Sequence, residues 1–134
     1  MKVLIILCAC FGLSYGTLGW DGIQQVSVAG FKCLWNNAYR FFIARVWKSY
    51  GDYDYVGIQN IKNARPHAGW KYVDGYIFPC LKKTCAPARA QVQATVDKLR
   101  EKGAVIGILW LDIERFAWPA DKNYNRQFII DMIN

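Results

Sequence analysis

The stretch "ILWLDIERFAW", residues 108–118, joins an apolar run to two carboxylates, Asp112 and Glu114, set two positions apart. Its first half is apolar on both faces, the pattern of a parallel strand covered by helices. The apolar character extends back to residue 104, so the strand is expected over residues 104–113. Three similar runs precede it: residues 17–23, interrupted by glycine, "FFIARVW" over 41–47 and "KYVDGYIFP" over 71–79. Helical patterns separate them. Val28, Phe31, Leu34 and Trp35 share one helical face behind Ser27, a suitable cap. A shorter pattern covers 58–68, where Pro66 is expected to kink or end the helix. Residues 88–102 form the clearest helix, with Pro87 at its start, Val92, Val96 and Leu99 as the stripe, and Gly103 as the stop. After "PADKNYN", Phe128, Ile129, Met132 and Ile133 mark a fourth helical face.

Strict strand–helix alternation specifies an α/β fold with right-handed crossovers. Strand starts lie roughly 25 to 33 residues apart, near the ~31 that eight units in ~250 residues require. Two architectures fit: a small open doubly wound sheet, or a partial (β/α) barrel of TIM type with about four β-α units. The apolar stripe that runs to the last residue favours the partial barrel, because a buried face wants more sheet to cover.

The first sixteen residues read differently. Met1-Lys2, an apolar run from Val3 to Leu13 and the small-residue ending Ser14-Tyr15-Gly16 describe a signal peptide cut after Gly16. The expected division is therefore 1–16 as leader and 17–134 as one domain. No later run is long enough to span a bilayer, so we expect a secreted, extracellular protein with no membrane insertion after cleavage.

The chain carries a formal charge of +7, of which Lys2 belongs to the leader, leaving +6. A basic exported protein suits anionic polymers, bacterial walls among them. The cations are scattered rather than clustered, which equally suits plain solubility and argues against a nucleic-acid partner. Of five cysteines, Cys8 and Cys10 lie in the leader. Export permits disulfides, and Cys80 and Cys85 are close enough in sequence to pair. Cys33 is then left over and reads as a core residue on its helix. His67 is the lone histidine and no CxxC is present, so neither metal nor cofactor is expected. There is no phosphate-binding glycine loop and no serine in an elbow motif.

In parallel α/β sheets ligands bind at the carboxyl ends of the strands, and the polar residues collect there: Asp21, Arg45, Asp74, Tyr76, Asp112 and Glu114. Asp112 and Glu114, two apart on a strand, point into one space roughly 7 Å apart at Cα. Like charges held in an apolar setting raise the proton affinity of at least one. A glycosidase needs one carboxyl to protonate a leaving oxygen and another to meet the developing cation. The aromatics Trp20, Trp47, Tyr76, Phe78 and Trp118 lie near strand ends, where they could stack on sugars or serve as core.

Four stretches, "GWDGIQQVS", "FFIARVW", "KYVDGYIFPC" and "ILWLDIE", together resemble the Chalaropsis-type lysozymes of glycoside hydrolase family 25, in their secreted animal branch. The resemblance implies a lysozyme acting on the β-1,4 bond between N-acetylmuramic acid and N-acetylglucosamine in bacterial peptidoglycan, in digestion of bacteria or innate defence. By position it makes Glu114 the general acid/base, Asp112 its carboxylate partner and Asp21 a third acid of the same site. Arg45, Asp74, Tyr76, Phe78 and Trp118 become substrate-binding positions. The family's later catalytic-site aspartate and the aromatics before it have no counterpart here, so residues 17–134 are expected to be the N-terminal part of the barrel domain. The competing expectation is a non-catalytic secreted module that binds cell walls or glycans.

Overall fold

A computed structural model describes residues 16–134; the leader expected over residues 1–16 lies, but for Gly16, outside them. Parallel strands β1 (Leu18–Gly22), β2 (Tyr39–Lys48), β4 (Tyr72–Ile77) and β5 (Leu109–Leu111) follow one another across the sheet in chain order, and β3 (Asp52–Tyr53) pairs antiparallel with β2. The order never reverses, so the switch point of a doubly wound sheet is absent among the described strands. This α/β architecture is compatible with part of a barrel wall.

Among the described residues the α-helices are α1 (Val28–Asn36), α2 (Tyr55–Lys62), α3 (Ala88–Glu101) and α4 (Lys122–Ile133). All press on one face of the sheet. Phe42, Ala44 and Val46 of β2 and Val73 of β4 join Phe31, Ile58, Ile61 and Leu99 in one apolar cluster. Ile77 joins Ala88, Phe128 and Met132 in a second. A register irregularity between Arg45 and Trp47 brings Trp47 into that second cluster. The alternation of the strands then leaves Phe41, Ile43, Arg45, Asp74, Tyr76 and Trp110 on the opposite face.

Local chemistry explains most boundaries. Ser27 caps α1 by accepting from the Gly30 N–H at 3.1 Å. Asp121 caps α4 by accepting from the N–H groups of Asn123 and Tyr124. Gly103, at φ 62°, supplies the left-handed stop after α3. Three expectations need correction. The second helix starts at Tyr55, because Asp54 caps it through the Val56 N–H. Pro66 does not end it: the chain widens into a π-helical turn, Asn63–His67, which accommodates the proline and closes with Ala68 N–H on the Asn63 carbonyl. The last strand is only Leu109–Leu111, because the Asp74 carboxylate takes the Ile108 N–H that a regular ladder would use.

The α2–β2 approach depends on Gly57. A Cβ there would overlap the carbonyl of Arg45. Gly57→Ala is expected to cost about 1–3 kcal/mol by forcing α2 off the sheet. Denaturant unfolding of that variant checks it, and an unchanged midpoint would show that the helix can move at no cost.

Candidate active site

The face that the described helices leave uncovered opens at the carboxyl end of the strands into a cleft of about 390 Å³, lined by Asp21, Ile43, Tyr76, Trp110, Leu111, Asp112 and Glu114. Asp21 arrives at the end of β1, in register with Ile43 of β2. Tyr76 comes from β4, in register with both Arg45 and Trp110. Asp112 follows β5 directly and its N–H still bonds the Ile77 carbonyl at 3.1 Å. Glu114 lies beyond the strand, and its carbonyl accepts from Ala117 and Trp118 to start a turn. Three carboxylates from β1 and the β5 end thus share one concave space with two aromatic rings.

Partial burial lifts the Asp112 carboxyl above its ordinary range, and Glu114 and Asp21 push it further. Tyr76 is also raised, chiefly by burial; Arg45 opposes that shift and Asp112, Asp21 and Asp54 add to it. The Asp112 shift has a consequence for stability. With its folded pKa raised, Asp112 contributes stability that is complete below the unfolded value and is lost as pH rises through the folded one. Asp112→Asn should therefore melt higher than the parent at neutral pH, with the difference closing in acid below the ordinary aspartate range. Melting curves across pH test this, and equal melting temperatures at neutrality would refute it.

The remaining expected site residues divide. Arg45 donates from Nε to Asp54 at 2.8 Å, beside Tyr76 rather than in the cleft lining. Asp74 accepts from the Ile108 N–H and from the Trp110 indole, both at 2.9 Å, and so holds Trp110 in place. Gly107 leaves room for that carboxylate, since a Cβ there would sit 2.8 Å from its Oδ1. Phe78 and Trp118 line a second cleft of about 490 Å³ together with Pro79, Leu81, Lys82 and Phe116. Of the other aromatics, Trp20 stacks on Phe42 at 5.0 Å in the core, and Trp47 is buried. Cys80 and Cys85 are disulfide-bonded, in the loop that carries Lys82. Cys33 is a free, exposed cysteine rather than a core residue, because Phe31 and Leu34 take the inward face of α1.

Sequence reasoning passed over Trp110. It shares the parity of Asp112 within "ILWLDIE", and that alternation was the available signal. Asp54 was passed over too, because its placement depends on the β2–β3 hairpin, of which β3 is only two residues long. Among the described residues no group of three His, Cys, Asp or Glu is arranged to hold a metal ion, and no helix is long and apolar enough to cross a membrane.

The family model described as lysozyme-like protein 1 matches residues 14–134, and the chain belongs to this lysozyme-like family. It is 48% identical over 131 residues to lysozyme-like protein 5 of Caenorhabditis elegans. It is 36% and 35% identical to probable GH family 25 lysozymes 4 and 2 of Dictyostelium discoideum. These alignments cover 98–99% of this chain but only 60–63% of the relatives, so the chain spans about 60% of their length. No solved structure matches the chain.

Proposed function

We propose that this protein is a secreted muramidase that hydrolyses β-1,4 bonds between N-acetylmuramic acid and N-acetylglucosamine in bacterial peptidoglycan, in digestion of bacteria or in defence. One observation carries the reading: Asp21, Asp112 and Glu114 line a single cleft beside Tyr76 and Trp110. The names of the Dictyostelium relatives, both probable family 25 lysozymes, support the same chemistry.

In this reading Glu114, exposed in the cleft lining, gives its proton to the glycosidic oxygen as the bond breaks, and then as base takes a proton from the water whose oxygen bonds the anomeric carbon, which completes hydrolysis and restores the acid. Asp112, partly withdrawn from water, is the counter-charge to the oxocarbenium-like centre. A desolvated carboxylate exerts a stronger field there than a solvated one, which is the use of its burial. It can equally orient the substrate's own N-acetyl oxygen for attack. Asp21 bounds the cleft from β1. Tyr76 and Trp110 offer ring faces to the sugars.

The test is release of new reducing ends from purified peptidoglycan by the mature chain, residues 17–134. Cleavage at a rate above a buffer control is the expected result. A folded chain that sediments with peptidoglycan yet releases no ends would replace this reading with that of a non-catalytic wall-binding module.

A further inference from the structure

Arg45 and Asp54 form a buried-end ion pair that the mechanism above does not use. The Asp54 side chain is 3% exposed and that of Arg45 24%. Asp54 is held on every side. Its N–H bonds the Val46 carbonyl, its carbonyl accepts from Ile58, and its Oδ1 accepts from the Val56 N–H at 3.2 Å as the cap of α2. Its Oδ2 takes the Arg45 Nε–H at 2.8 Å. The backbone of Arg45 is clamped as well, because α2 rests on its carbonyl at Gly57. The short β2–β3 hairpin exists at the place that delivers Asp54 to this position. A guanidinium is thus fixed through Nε, while its two Nη groups make no hydrogen bond among the described residues.

Arg45 is not in the cleft lining itself but stands next to Tyr76, which is. Arg45 and Tyr76 are in register on neighbouring strands, and Arg45 is the charge that opposes the upward shift of the Tyr76 hydroxyl. It is not among the groups that shift Asp112, which are Glu114 and Asp21 besides burial. The lining that brings Asp21, Asp112 and Glu114 together does not include Arg45. A planar guanidinium with two free Nη groups is shaped to take a carboxylate.

We infer that Arg45, positioned by Asp54, is a carboxylate-binding fork that recognises the acidic side of the muramic-acid unit, and that Asp54 is a positioning residue for binding rather than an acid of the reaction. The inference rests on the muramidase reading and names the group by which the substrate is distinguished from neutral chitin-like chains. The carboxylate can belong to the lactyl arm or to the attached peptide.

The experiment measures binding of three soluble glycans by tryptophan fluorescence, and cleavage of the same three. One is a peptidoglycan chain with its peptides intact, one is freed of peptides so that the lactyl carboxylates are bare, and one has those carboxylates reduced to alcohols. The parent protein should bind at least one acidic glycan about tenfold or more tightly than the reduced one, and which one identifies the source of the carboxylate. Arg45→Met should erase that preference, raising KM for the acidic chain with little change in kcat. Asp54→Asn keeps a good helix cap and should lose part of the preference. The double variant, Arg45→Met with Asp54→Asn, removes the whole ion pair and leaves no buried charge unpaired, so it keeps the test open if a single variant unfolds. Retention of the carboxylate preference in the folded double variant would overturn the inference while leaving the muramidase reading standing. Failure of the parent to bind any of the three would overturn that reading and the inference with it.

Discussion

Glu114→Gln is expected to remove glycan cleavage and leave the fold untouched. The Glu114 side chain is exposed and makes no hydrogen bond or ion pair among the described residues, so neutralising it takes nothing from the native state. Its backbone carbonyl, which anchors the turn through Ala117 and Trp118, is unchanged by the substitution. What is lost is the transferable proton. Removal of a positioned general acid typically costs about 10²–10⁴-fold in rate, whereas an exposed substitution of this kind stays within about 0.5 kcal/mol in stability. The check is paired: release of reducing ends against thermal melting of the same preparation. Removing a negative neighbour should also ease the upward shift of Asp112, to which Glu114 contributes. Titration of the Asp112 carboxyl by NMR should therefore move downward in the variant. Continued cleavage by a folded Glu114→Gln protein would take Glu114 out of the mechanism and turn attention to Asp112.

The acids were legible for a physical reason. An apolar run that ends in alternating carboxylates leaves few places for them other than a strand's carboxyl edge, and Asp21, Asp112 and Glu114 do meet there. The strand–helix alternation was legible because both partners of a buried sheet–helix contact must be apolar. Less legible was anything set by one polar contact made across the chain. The strand expected over 104–113 shrinks to Leu109–Leu111 through a carboxylate thirty-four residues away, Asp74 on the Ile108 N–H. The position of Arg45 depends on Asp54, and periodicity carries no record of a two-residue hairpin. Phe78 and Trp118 were expected beside the acids, but the loop after β4 and the turn after Glu114 carry them to a neighbouring cleft. The stripe of α3 was displaced as well. Val92, Val96 and Leu99 are the apolar positions, yet the buried ones are Ala88, Gln91, Thr95 and Leu99. Hydrophobicity pointed one residue to the side of the true inward face, because that face contains a glutamine and a threonine.

That glutamine predicts the largest loss of stability. Gln91 is 0% exposed and satisfies four groups at once. Its Oε1 accepts from the Trp47 indole at 3.0 Å and from the Cys80 N–H at 2.8 Å. Its Nε2 donates to the carbonyls of Cys80 at 2.9 Å and Ala86 at 2.7 Å. One side chain thereby ties β2, the loop that follows β4 and the start of α3 together. Gln91→Ala strands the Trp47 indole and both backbone groups of Cys80 in a buried region, whereas the Ala86 carbonyl sits on an exposed residue and can turn to water. Buried unpaired groups cost about 1–3 kcal/mol each, and even with strong non-additivity the loss should be at least about 3 kcal/mol. Gln93→Ala, on the exposed face of the same helix, should fall within about 0.5 kcal/mol of the parent. Gln91→Glu separates polarity from shape. Its carboxylate keeps both accepted bonds but cannot donate to Cys80 or Ala86, so at neutral pH it sets a buried charge against two carbonyls. Burial there raises its folded pKa, so its destabilisation should shrink as pH falls and the protonated acid regains one donor. If Gln91→Ala unfolds no more easily than Gln93→Ala, the network is dispensable and the apolar contacts of Trp47 and Ala88 hold this corner of the sheet alone.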